Sequence, residues 1–168
     1  MGRKKKRELH PAHFAMMQAD GFFRAFTLLR DRRSTQAAGS PANPDFVDLL
    51  PPMVVCLAFA CETMLKALLV LHATHTEEGH NLQKLFEELP ADRRAAVKTR
   101  MGYVGTQFEE MMAVSARAFE EWRYVHERPS TSVDWQFLEA LYVAARVEKP
   151  ELAPLPSDKE PIQMKFPN

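Results

Sequence analysis

Arg123, His126 and Glu127 stand at i, i+3 and i+4, a spacing that places all three on one face of a helix as a polar cluster. Arginine can stabilise negative charge on a phosphorane, and histidine can move a proton near neutral pH. The trio therefore carries the minimum set for metal-independent RNA cleavage. The plainer reading is an Arg123–Glu127 ion pair with His126 in solvent. Glu62 and Lys66 are a second pair, one turn apart in an otherwise apolar stretch where polar groups are costly to bury without partners. They can satisfy each other at i, i+4, or Glu62 can meet Arg123 or Tyr124 across the molecule and fix that motif in place.

His72, His75 and His80 include potential zinc ligands, but no cysteine lies near them. His72 and His75 fit the C-terminal end of a helix, where the dipole favours them, and His80 is expected to order the loop before Asn81. No metal and no cofactor is expected. Trp122, Tyr124 and Trp135 could stack on bases beside Arg123 and Arg128. Trp122 has the spacing of a core residue, and Tyr124 is the one expected at the surface. No phosphate-cradling glycine loop and no Gly-x-Ser-x-Gly elbow is present, which argues against P-loop nucleotide hydrolysis and serine hydrolase chemistry.

The elements that must position these residues read as helices throughout. His10 to Arg33 repeats apolar residues at spacings of three to five (Phe14, Met17, Phe22, Phe26, Leu29), and residues 34–44 have loop composition. Asp45 can cap a helix from Phe46 that Pro51-Pro52 either kinks or restarts, and Met53 to His72 forms one long helix. That helix is apolar almost all round, as expected of an element surrounded by partners. After a turn over 74–80, Asn81 can cap a short helix that Pro90 ends, and Ala91 to Met101 makes a short polar helix before Gly102 and Gly105. Thr106 to Glu127 keeps steps of three and four for several turns and predicts one amphipathic helix. Pro129 stops it, and Thr131 with Asp134 forms a possible capping box for a last helix through Ala145. No segment alternates with period two, and no internal repeat is present. The fold class is all-α, an antiparallel bundle of four to six helices over residues 10–148.

In order along the chain, Cys61-Glu62-Thr63-Met64-Leu65-Lys66, then Gly79-His80-Asn81-Leu82, then Phe119-Glu120-Glu121-Trp122-Arg123-Tyr124-Val125-His126-Glu127 resemble the HEPN family of helical-bundle proteins. The resemblance covers about residues 49–147; the first helix and both tails lie outside it. It rests on the order and spacing of three short motifs: an acidic residue and a lysine one turn apart, a Gly-His-Asn-Leu entry into a helix, and an arginine-centred motif late in the bundle. It implies a homodimer acting in a prokaryotic toxin–antitoxin or defence system, with RNA, a nucleotide, a cognate antitoxin or a nucleotidyltransferase protein as partner. In the catalytic form of the family, an arginine is followed by histidine after four to six residues. Here Arg123 precedes His126 by only two intervening residues, and Arg117 by eight, so the spacing departs from the nuclease pattern. The expectation is a binding module supported by Glu62, Lys66, His80, Tyr124 and Glu127. The alternatives are a ribonuclease using Arg123 and His126, and a helical scaffold with no nucleic-acid role.

The chain has 22 basic and 22 acidic residues, but five basic ones sit together in Arg3–Arg7, leaving a balance of −5 elsewhere. Residues 1–9 are read as a solvated basic tail that can add non-specific affinity for nucleic acid, and the proline-rich stretch over 149–168 as a second tail. The hydrophobic content of 46% with 26% charge is that of an ordinary folded protein. Two cysteines, Cys56 and Cys61, imply no disulfide framework, and with no evident leader the chain is expected in the cytoplasm. The apolar run from Leu49 to Cys61 is read as too short to cross a bilayer, so no membrane partner is expected.

Overall fold

The computed structural model describes residues 11–37, 48–72, 79–127 and 133–148, and within them the secondary structure is helical, with no strand. The helices are α1 (Pro11–Ala37), α2 (Leu50–Leu71), α3 (Leu82–Glu87), α4 (Ala91–Met101), α5 (Gln107–Ser115), α6 (Ala118–Arg123) and α7 (Trp135–Arg146), with a 3-10 turn at Val125–Glu127 between the last two. This is the expected all-α bundle. The expected Asp45 cap, Thr131, Arg128, His75 and both tails fall outside the described residues.

α2 is the central element, packed against α1, α3, α6 and α7, which is why almost its whole circumference is apolar. Pro51 and Pro52 sit in its first turn, where a missing N–H costs no hydrogen bond, so they start the helix rather than kink it. Leu49 O accepts from Met53 N at 3.0 Å, and the Asp48 carboxylate accepts from Leu50 N at 3.0 Å. The apolar helix continues past Cys61 to 22 residues, which corrects the expectation of a run too short to span a bilayer. By length and composition it would suffice, but most of it is buried inside the bundle.

α1 runs four residues beyond the expected end at Arg33. Ser34 Oγ donates to Arg30 O at 3.0 Å and Thr35 Oγ1 to Arg32 O at 2.7 Å, so these polar side chains bond back onto the helix instead of leaving it. α7 meets α1 through side chains. Asp20 binds Arg146 and Tyr142, Phe26 packs on Trp135, and Arg30 binds Glu139. Asp134 caps α7 directly, its carboxylate accepting from the Gln136 and Phe137 amides.

The largest departure from expectation lies between Thr106 and Glu127. The single amphipathic helix is two, α5 and α6, broken at Ala116-Arg117. The Ala116 carbonyl, which an uninterrupted helix would bond internally, accepts instead from Leu82 N at 2.8 Å, where α3 begins. α6 then ends at Tyr124, whose φ of −117° and ψ of 29° depart from the helical range. The α4 boundaries match those expected, with Gly102 at φ 71° supplying the left-handed cap.

Candidate functional site

Glu62 lies in the middle of α2 with its side chain only 2% exposed. Lys66, one turn later, places Nζ 2.8 Å from Glu62 Oε1. His80, in the segment entering α3, places Nδ1 3.0 Å from both carboxylate oxygens. A carboxylate can only accept here, so His80 Nδ1 carries the hydrogen and donates it to the pair of oxygens. Two charge-assisted bonds thus offset the burial of one negative charge. The i, i+4 pairing of Glu62 with Lys66 is therefore real. The cross-bundle partner, however, is His80 rather than Arg123 or Tyr124, because the entry to α3 rather than the end of α6 lies over the carboxylate.

Phe119 joins this group to the arginine motif. Its ring lies 5.1 Å from the imidazole of His80 and 4.9 Å from Phe59, which in turn meets Phe22 edge-on at 4.6 Å. The guanidinium carbon of Arg123 stands 5.2 Å from the Phe119 centroid and 4.7 Å from that of Tyr124. Both are cation–π distances. Glu62, Lys66, His80, Phe119, Arg123 and Tyr124 thus form a continuous strip from the buried centre of α2 to the exposed end of α6. That Phe119 and Phe59 are the joints of this strip is not visible in the sequence, where aromatics at helical spacing read simply as core.

His126 and Glu127 do not join it. The end of α6 at Tyr124 removes the common helix face that an i, i+3, i+4 spacing would give, and both residues ride on the 3-10 turn. His126 is 73% exposed with Nε2 3.5 Å from Glu127 Oε1. The expected Arg123–Glu127 ion pair is not formed, and among the described residues no carboxylate pairs with Arg123. Tyr124 is 43% exposed, while Trp122 is buried in the core, as expected of each. His72 caps α2, its N–H donating to the Leu68 and Leu69 carbonyls at 3.1 Å. Among the described residues no three His, Cys, Asp or Glu side chains lie together as a metal centre requires.

Beside His80, a cleft of about 310 Å3 opens between α3 and the start of α6. Lys84, Glu88, Arg117 and Glu120 line it with His80. That these four residues meet is not visible in the sequence, because their proximity depends on the break between α5 and α6. Compared with known proteins, the chain matches no family model, no curated protein and no solved structure.

Proposed function

We propose that this chain is a HEPN-like helical binding module, a homodimer that holds single-stranded RNA on the Arg123–Tyr124 edge of α6. The observation that carries the reading is the state of Arg123. Its guanidinium is exposed, stacked against two aromatic rings and paired with no carboxylate among the described residues. Stacking restrains the fork while its N–H edges stay available to phosphate oxygens, and the half-exposed ring of Tyr124 offers a surface on which a base can stack. The basic block Arg3–Arg7 adds a salt-sensitive, sequence-independent contribution. The family and the dimer rest on the three sequence motifs. Binding is favoured over cleavage because His126 sits on the 3-10 turn beside Glu127, with no contact to Arg123.

The test is fluorescence anisotropy with a labelled single-stranded RNA oligonucleotide over a range of salt, with light scattering for the oligomeric state and gel analysis of the RNA afterwards. Saturable binding that weakens with salt is expected, falling about tenfold in Arg123→Ala and several-fold in Tyr124→Ala. No binding at low salt would overturn the proposal. RNA degradation lost in both Arg123→Ala and His126→Ala would replace it with the ribonuclease reading.

A further inference from the structure

We infer that the outward face of α1 is the contact through which two copies of this chain pair, antiparallel, about a two-fold axis at Gly21. The inference rests on the proposed homodimer and names its contact, on a helix that the family resemblance does not reach.

α1 packs inward on α2 and meets α7, and the side turned away from both carries large apolar residues in solvent. Phe14 is 59% exposed and Leu28 72%. Each stands seven residues from Gly21, which is also exposed, and steps of seven keep the three nearly in line along a helix. Half-buried Met17 and Ala25 widen the strip. A helix with apolar residues on every side is expected to be surrounded, and among the described residues nothing surrounds this one.

Gly21 points to the occupant. Glycine weakens a helix interior relative to alanine, and the backbone here is ordinarily helical, so no left-handed turn requires it. Packing within the chain does not require it either, since a Cβ added there would meet no atom within 4 Å. Bare backbone on an outward face suits a neighbour that approaches closely from outside. Phe14 and Leu28 lie equally far to either side of it, about 10 Å along the helix. A second α1 laid antiparallel therefore sets each Phe14 on the partner's Leu28 and brings the two glycines together, a symmetry that only a self-pairing surface needs. The flank repeats the match. His13 and Asp31 lie on one side of the strip, eight residues before the axis and ten beyond it, so each Asp31 comes beside the partner's His13. Arg24 falls level with Gln18 of the partner subunit, so no like charges face each other there. The opposed helix dipoles favour the same direction. From Pro11 to Asp31 the contact is about 30 Å long and about 10 Å wide, an area that belongs to small, reversible interfaces rather than obligate ones.

Analytical ultracentrifugation of the full chain over a range of micromolar concentrations is expected to show a reversible monomer–dimer equilibrium. Phe14→Glu and Leu28→Glu, both surface changes, should each weaken the dimer about tenfold or more. Gly21→Gln should raise the melting temperature of the dilute monomer, because the helix improves, while weakening the dimer about tenfold. A variant that merely misfolds cannot give those opposite signs. Orientation is read by disulfide formation. Phe14→Cys protein mixed with Leu28→Cys protein should cross-link under oxidising conditions, and neither alone beyond the wild-type level, because like positions lie about 20 Å apart along an antiparallel pair. A chain that stays monomeric throughout overturns the inference together with the proposed homodimer. A dimer that Phe14→Glu and Gly21→Gln leave intact overturns the inference alone and puts the contact on another face. Cross-linking in the Phe14→Cys protein alone, and not in the mixture, overturns the antiparallel register.

Discussion

Two regions of the bundle each bury carboxylates, and they neutralise them differently. On the flank where α7 meets α1 and α4, Asp20 accepts from Arg146 through both oxygens, at 2.8 and 3.1 Å, and from the Tyr142 hydroxyl. On the same flank Glu148 is held by Arg93 at 3.0 Å and by Arg100. In the centre, Glu62 is held by Lys66 and His80. Guanidinium groups stay charged at any pH the fold survives, and their fork matches a carboxylate geometrically, so the flank is locked. An amine on a flexible stem and an imidazole that both reach solvent make the centre adjustable. A carboxylate clamped by arginine joins helices; Glu62, shared by a lysine and a histidine that both reach solvent, is held less rigidly.

The largest effect that can break this comparison is at Asp20. Its removal takes away two hydrogen bonds from the Arg146 guanidinium and leaves the buried Tyr142 hydroxyl without its carboxylate acceptor, and Asp20→Ala is expected to lower the unfolding free energy in urea by about 3 kcal/mol. Glu62→Gln is expected to cost less, about 1–2 kcal/mol, because Lys66 and His80 are both partly exposed and can turn to water. An equal loss at the two positions would abolish the distinction between a locked flank and an adjustable centre.

Acid titration sharpens it further. Burial pushes the Glu148 carboxyl up, but hydrogen bonds from Arg100 and Arg93 and their charges outweigh it and hold the group below its ordinary value of 4.5. The unfolded chain takes up that proton more readily than the folded one. The stabilisation is therefore complete above about pH 4.5 and lost as pH falls through the lower folded value. Thermal melts of the wild type between about pH 5 and pH 3 should steepen relative to Glu148→Gln, and parallel curves would contradict the assignment. The smallest effect belongs to the exposed edge. Arg123→Ala and Tyr124→Ala should change stability by no more than about 0.5 kcal/mol, so that any loss of binding in them reads as loss of contact rather than of fold.

How much of this was legible in the sequence follows the range of the forces involved. α2, α4 and the Asn81 cap of α3, whose side chain accepts from Lys84 N at 3.1 Å, are set by local composition and capping, and they stand where the sequence places them. Glu62, Lys66 and His80 were legible as polar groups needing partners, but their pairing is a tertiary matter. The break at Ala116-Arg117 left no local sign, since neither residue is a glycine or proline and the apolar spacing continues through it. At the break the Ala116 carbonyl is taken by a backbone donor from α3, a partner no local pattern announces. With that break hidden, the cleft was hidden too, and so was the separation of His126 and Glu127 from Arg123.

The bond from Leu82 N to Ala116 O has a spectroscopic consequence. That amide sits two residues after His80, and its partner sits one residue before Arg117, so it spans the two walls of the cleft at their base. Its hydrogen exchange therefore reports directly on whether α6 is seated against α3. A change that loosens α6 from α3 speeds the exchange of this amide, and one confined to the Arg123 end of α6 leaves it unchanged. A single resonance thus follows the seating of α6 on α3 without any mutation.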